Sequence, residues 1–275
     1  MIFKNRKDNP YLVAEIGWNF LGNLSLAKKM ITMAKKSGAD AVKFQIWNPK
    51  YLKKGPWDKD GRKKIYEKAY LSKKKYKLLY NFAVKHKLIC FASVWSNEGI
   101  KTLASISKKI VKIPSPEAYN IQLIEDSLKT FDQVIISAGC LKLSELKKLE
   151  KYKNNSKLII LHCVSSYPVK PENTNFEKFF YLKKKFKKVG YSGHFHGIED
   201  AFFAIFHGAI LVEKHFTTNN NLQGRDNKFA LLPKDFEKLD KVRKIYYQFN
   251  KSNGLGLQEN EKDIYKNYRG RWTGE

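Results

Sequence analysis

Apolar residues along the chain gather in short blocks, and the blocks recur. Eight of them read as strands: "YLVAEIG" (11–17), "AVKFQIW" (41–47), "LICFASVW" (88–95), "KIVKIP" (109–114), "QVIISAG" (133–139), "LIILHCVSS" (158–166), "VGYSGH" (189–194) and "AILVEKHF" (209–216). Their continuous apolar character suits strands buried on both faces. Between them, apolar positions return at helical spacing. Residues 23–38 carry such a pattern, with Asn23 or Ser25 as a cap and Gly38 as a stop. A second run follows Ser72, and "NEGIKTLASIS", "SELKKLEKY" and "EDAFFAIFHG" continue the alternation. "PKDFEKLDKVRKIYYQF" opens on Pro233, a residue suited to a first helical turn. Eight strand–helix alternations predict an α/β fold of the (β/α)8 TIM barrel type. No glycine-rich phosphate loop follows the first strand, which argues against an open dinucleotide-binding sheet. Residues 1–250 are assigned to the barrel and 251–275 to a C-terminal tail or truncated linker. Residues 48–71 form a long connection rich in Lys, Gly, Pro and Trp, read as a lid over a site.

The blocks end in polar chemistry. In "AILVEKHFT" an apolar run turns directly into Glu213, Lys214 and His215. Side chains alternate along a strand, so Leu211, Glu213 and His215 share one face. The other strands end similarly, in Glu15, Lys43 with Gln45, Ser93, Lys112 followed by Ser115, Ser137, His162, and Ser192 with His194. In a barrel of parallel strands these ends converge on one mouth, where such barrels keep their active sites. His194 and His215 fall on neighbouring strands, and two imidazoles with open positions suit a catalytic divalent metal ion. The ordinary alternative is a pair of hydrogen-bonded core histidines, and His196 shares the parity of His194 as a rival ligand. Lys43 and Lys112, with Ser115, Ser137 and Ser192, suit an anionic phosphate: fixed cations surrounded by hydroxyl donors. Glu15 and Glu213 are candidates for a base or an orienting carboxylate, or for structural partners of the two lysines.

Composition narrows the choice. The 275 residues carry 53 Lys+Arg against 26 Asp+Glu, a formal net charge of +27. Such a balance suits anionic partners. The lysines fall in helix-like runs such as 73–75 and 183–185, and no zinc-finger, RNA-recognition or basic-zipper spacing accompanies them. That argues for solvated helix faces over a nucleic-acid partner. Three cysteines, Cys90, Cys140 and Cys163, have no regular spacing and read as small buried hydrophobes in a reducing compartment. The first residues contain no apolar signal segment and no run reaches membrane-spanning length, so a cytoplasmic protein with no membrane partner is expected.

The segments "AEIGWNFLGN", "GADAVKFQ", "KIPSPEAYN", "IISAG", "LHCVSSYP", "VGYSGHFHG" and "GAILVEKHFT…QGRD" occur in an order that resembles the N-acetylneuraminate (sialic acid) synthase family. The likeness runs over roughly residues 11–250. It implies a transferase that condenses phosphoenolpyruvate with an N-acetylated sugar aldehyde to give a nonulosonic acid and phosphate. It implies a divalent ion, Mn2+ or Mg2+, on His194 and His215. Lys43, Ser93, Lys112, Ser115, Ser137 and Ser192 then match positions around phosphoenolpyruvate. Glu15 and Glu213, working with Lys43 and Lys112, match the catalytic groups. Glu117, Tyr167 and Asp226 match the side of the amino-sugar substrate. A homodimer is the arrangement the family suggests. The pattern departs from the family at Phe20-Leu21, at Ser93-Val94-Trp95-Ser96, at Ala138, at Arg225 and Asn227, and at Gly193, where an Asp is usual beside the first histidine. Losing that Asp removes an orienting carboxylate and predicts weaker metal binding. The likeness ends where the family's small C-terminal antifreeze-like domain would begin, so the barrel alone is expected. The departures leave open a related barrel enzyme using a different aldehyde or without activity, and the net charge leaves open a basic nucleic-acid-binding protein.

Overall fold

Each apolar block becomes a strand. The computed structural model describes residues 2–3, 9–272 and 274. Its elements run β1 (Tyr11–Gly17), α1 (Leu24–Lys36), β2 (Ala41–Ile46), α2 (Arg62–Ala69), α3 (Lys73–Lys85), β3 (Ile89–Val94), α4 (Asn97–Ala104), β4 (Ile110–Ile113), α5 (Ile121–Thr130), β5 (Gln133–Ser137), α6 (Leu143–Leu149), β6 (Leu158–His162), α7 (Phe176–Lys185), β7 (Val189–Gly193), α8 (Glu199–Phe206), β8 (Leu211–His215), α9 (Pro233–Phe249) and α10 (Lys262–Asn267). The strands close into a barrel in sequence order, with β8 returning to β1. Every neighbouring pair is parallel. This is the predicted (β/α)8 architecture.

Local chemistry sets the helix ends. Asn23, rather than Ser25, caps α1 by accepting from the Leu26 amide, and Ser72 caps α3 by accepting from Lys75. Four helices, α2, α5, α7 and α10, arise where apolar periodicity alone marked none. The connection 48–71 therefore carries a helix of its own. Within it, the α2 residue Tyr66 packs 5.4 Å from Trp18 and 5.5 Å from Trp47, centroid to centroid. That contact lays the connection on the ends of β1 and β2.

Two apolar layers result from the strand alternation. The outward residues pack under the helices as the main core. The inward residues Tyr11, Val13, Ala41, Phe91, Ile135 and Leu211 fill the lower barrel. Phe3 closes its amino-terminal end; its amide donates to Gln133 Oε1 at 2.8 Å, and Gln133 Nε2 donates back to its carbonyl at 3.2 Å. With that end plugged, the next inward positions along each strand can only meet at the opposite mouth.

Candidate active site

Those positions are Glu15 above Val13, Lys43 above Ala41, Lys112 above Ile110 and Glu213 above Leu211, and all four are buried. They form one charged cluster. Lys43 Nζ lies 2.9 Å from Glu15 Oε2 and 3.6 Å from Glu213 Oε1. Lys112 Nζ donates to both oxygens of Glu213, at 3.0 and 2.9 Å. Gln45 Nε2 donates to Glu15 Oε1 at 2.7 Å, Ser93 Oγ accepts from Lys43 at 2.8 Å, and Ser192 Oγ donates to Glu213 Oε1 at 3.0 Å. Two ammonium groups and two carboxylates thus share one desolvated space.

The sharing sets the protonation. Burial opposes the charge on Glu213, but Lys112 and Lys43 outweigh it and hold the carboxyl below its ordinary range. Burial also opposes the charge on Lys43, and Glu15 with Glu213 lifts it above the usual lysine value. Lys112 goes the other way. Burial, with Lys43 beside it, outweighs Glu213 and lowers its pKa. Lys112 is thus the less firmly charged of the two cations, and an incoming anion would strengthen its charge.

The serines sit beside this cluster. Ser115 Oγ accepts from the Cys140 amide at 2.6 Å and from Ser165 Oγ at 2.8 Å. The approach requires Gly139: a Cβ there would stand 2.2 Å from Ser115 Oγ and 2.7 Å from Cys163 Sγ. Ser93, Ser137 and Ser192 are buried with Ser115.

One inward step further out lie the histidines. The rings of His194 and His215 are 5.5 Å apart. Tyr167 packs 4.2 Å from His194, and Phe229 packs 5.1 Å from His215. His194 Nδ1 lies 2.7 Å from the Val164 carbonyl, so Nδ1 carries the hydrogen and Nε2 keeps its lone pair. Burial, then the neighbouring His215, lowers the His194 pKa to about 3, so the ring is neutral. His215 Nδ1 is buried without a hydrogen-bond partner and lies 3.8 Å from Asp226 Oδ2. A neutral imidazole oriented by a backbone carbonyl and a second one with an orphaned nitrogen fit a divalent ion. Among the described residues no group of three or more His, Cys, Asp or Glu side chains is arranged as a metal cage. The protein donors would therefore be the imidazole pair, leaving room for substrate oxygens.

Asp226 links the histidines to the outer rim. Trp18 Nε1 donates to its Oδ2 at 2.7 Å, and Arg225 Nε donates to its Oδ1 at 3.3 Å. The Arg225 guanidinium lies 4.5 Å over the Tyr167 ring, and its side chain is 55% exposed. A buried amide network holds this loop: Asn227 Nδ2 donates to the Asn19 carbonyl at 3.0 Å, and Thr217 Oγ1 donates to Asn227 Oδ1 at 2.6 Å. Glu117 stands on the β4 side of the mouth, half-buried, where burial raises its carboxyl above the usual range.

The structure does not bring every predicted residue inward. His162 ends β6 but faces the helices, because Leu161 is the inward residue at that level. His162 Nε2 donates to the Thr174 carbonyl at 2.8 Å, and its ring packs 5.6 Å from Phe176. His196, the rival ligand, is exposed. Strand-end position alone misassigned His162; counting parity from Ile159 identifies it. Trp18, Ser165 and Asn227 were missed as site residues. Side chains in loops carry no periodic signal, and only their contacts mark them: Trp18 with Asp226, Ser165 with Ser115, and Asn227 with Thr217 and Asn19. The volume beside Gly193 is not vacant. A Cβ on Gly193 would stand 2.2 Å from Asp200 Oδ2, so a carboxylate from α8 occupies the space where an orienting Asp was expected to be lost.

The NeuB family model matches residues 30–253. A relative described as N,N'-diacetyllegionaminic acid synthase, from Campylobacter jejuni, is 33% identical over 274 residues, covering 93% of this chain and 81% of the relative. A pseudaminic acid synthase of the same species is 30% identical over 278 residues, covering 96% of this chain and 80% of the relative. Among solved structures, an N-acetylneuraminic acid (sialic acid) synthetase from Leptospira borgpetersenii serovar Hardjo-bovis superposes with a TM-score of 0.83 at 31% identity, covering 98% of this chain and 94% of that one.

Proposed function

The chain belongs to the NeuB family, and from that premise we propose that it condenses phosphoenolpyruvate with an N-acetylated sugar aldehyde, forming a nonulosonic, sialic-acid-like acid and releasing phosphate. The observation that carries this reading is the stacking of two unlike layers on the same strands. Glu213 and Ser192 lie in an anion-suited cluster with Lys43 and Lys112, while His215 and His194, one inward step on, pair at the rim.

The residues divide the work accordingly. Lys43 and Lys112, with Ser93, Ser115, Ser137 and Ser192, hold the phosphate and carboxylate of phosphoenolpyruvate. His194 and His215 would hold a divalent ion, Mn2+ or Mg2+, whose contribution is Lewis-acid polarisation of the acceptor aldehyde. Tyr167 and Asp226, with Glu117 across the mouth, orient the sugar. The π electrons of the phosphoenolpyruvate double bond form the new bond from C3 to the aldehyde carbon, and the aldehyde oxygen takes up a proton. Water adds to the electron-poor C2. Its proton passes to a carboxylate, a role we give to Glu15 because its Oε2 lies 2.9 Å from Lys43 but accepts no aligned hydrogen bond. The C2–O bond then breaks, phosphate leaves with the bridging oxygen and takes up the proton of the C2 hydroxyl, and the ketone forms. Glu213, fixed by Lys112 and Ser192, stabilises the positive charge that develops at C2.

Residues 1–250 are the catalytic barrel in this reading and 251–275 a C-terminal tail or truncated linker; the cytoplasm is its compartment, and two copies form its assembly. Among the described residues no helix is long and apolar enough to cross a membrane. The test is release of phosphate from phosphoenolpyruvate with Mn2+ or Mg2+ and a panel of N-acetylated hexosamines and their 6-phosphates, with the acid product identified by mass. No release with any acceptor, from folded protein that binds the ion, overturns the assignment.

A further inference from the structure

Behind the two histidines, on the outward face of β7 and β8, lies a second buried charge pair that the reaction does not use. Lys214 Nζ donates to Asp200 Oδ1 and Oδ2, both at 2.9 Å, and to the Phe195 carbonyl at 2.8 Å. Three donors meet three acceptors, so the ammonium is saturated. Asp200 Oδ1 also accepts from the Ala201 amide at 2.8 Å, and Oδ2 accepts from Tyr191 Oη at 2.9 Å. Each side chain is 2% exposed. Removing two ions from water so completely carries a large desolvation cost, and packing alone would not require it.

The attachment points give the pair its meaning. Lys214 immediately precedes His215, and Phe195 immediately follows His194. Gly193, just before His194, has no room for a side chain: a Cβ there would stand 2.2 Å from Asp200 Oδ2 and 2.6 Å from Tyr191 Cε1, on the ring whose hydroxyl donates to Asp200. Asp200 thus ties α8 to both histidine-bearing strand ends at once. We propose that Asp200 and Lys214 are positioning residues that fix the spacing and orientation of His194 and His215. The proposal rests on the reading of those histidines as metal donors, and it predicts that a carboxylate moved from residue 200 to residue 193 does the same work.

The test uses the whole chain with Mn2+ alone, by calorimetry, and steady-state kinetics beside it. Asp200→Asn should weaken Mn2+ binding by about 10–100-fold. It should lower kcat and leave the KM for phosphoenolpyruvate within about twofold, because the inner cluster is untouched. The double variant Gly193→Asp/Asp200→Ala should recover most of the Mn2+ affinity. Wild-type Mn2+ affinity in folded Asp200→Asn overturns the proposal, as does a folded double variant that recovers nothing. Should Asp200→Asn fail to fold, Tyr191→Phe removes one bond to Asp200 and keeps the ring; it should weaken Mn2+ binding about threefold, and no change overturns the proposal. A metal-free readout separates this from the premise. Nitrogen-resolved NMR of the His194 and His215 rings should shift in Asp200→Asn and return in the double variant. Unmoved ring signals sink the positioning role even where wild-type protein binds no Mn2+, and the latter result by itself removes only the metal reading.

Discussion

Strand β8 carries two buried lysine–carboxylate pairs back to back. On the inner face Lys112 meets Glu213; on the outer face Lys214 meets Asp200. Both are desolvated and both are hydrogen-bonded, yet they are built differently. Lys214 has three acceptors for its three hydrogens, and Asp200 is held by a tyrosine and a backbone amide besides. Nothing is left over for a ligand. Lys112 directs its two hydrogen bonds at one carboxylate, which Lys43 also approaches at 3.6 Å. Charge there is shared among four groups and can be redistributed when an anion arrives. A saturated pair is a fixture; a shared one is where we propose that the anion binds.

That contrast can be broken in several ways, and the sharpest is at the rim. His215→Ala removes one of the two donors proposed for the ion. Metal-dependent turnover should fall by about 10³-fold or more, because Lewis-acid stabilisation is worth several kcal/mol. Far-UV circular dichroism should be unchanged, and retained turnover would detach His215 from the chemistry. Next come the two lysines, compared by denaturant titration. Lys214→Met leaves Asp200 buried and unpaired, and should cost about 3–5 kcal/mol of stability. Lys112→Met leaves Glu213 with Lys43 and Ser192, and should cost roughly half as much. Equal losses would erase the distinction between fixture and site. In kinetics the order should reverse: Lys112→Met should raise the KM for phosphoenolpyruvate by about 10–100-fold, as loss of a charge-assisted contact does. If only the acceptor KM moves, the two halves of the mouth are assigned the wrong way round.

The smallest effect concerns the outward histidine. Burial lowers the His162 pKa to about 4 from an ordinary 6.5. Below pH 6.5 the unfolded chain takes a proton that the folded ring refuses. Stability therefore falls as the pH drops from 6.5 towards 4, by up to about 1.4 kcal/mol per pH unit, and levels off below. His162→Leu should lack that component of the slope across this window while keeping turnover. An unchanged slope would mean that the ring is not held neutral by its apolar packing.

Much of the barrel was legible in the chain. All eight apolar blocks became strands, and Pro233 and Ser72 mark helix starts where their chemistry says they should. Of the inward set, Glu213 and His215 followed from alternation, whereas Glu15, Lys43, Lys112 and Ser192 were read from polar strand ends meeting at one mouth. His162 shows the limit of a looser rule, because a polar residue at a strand end faces the mouth only if its parity agrees. The α2 helix lay hidden because a short amphipathic stretch among lysines carries a weak apolar signal.

What the sequence determined by itself is local: where strands begin and end, and which residues share a face, since the pleat forces a period of two on any chain. What only the tertiary structure decided is partnership. Trp18 reaches Asp226 across 208 positions, and the carboxylate beneath Gly193 comes from a helix that begins later in the chain. Such pairings depend on how the barrel closes and how each helix settles against it. Those are long-range packing outcomes, and no spacing along the chain encodes them.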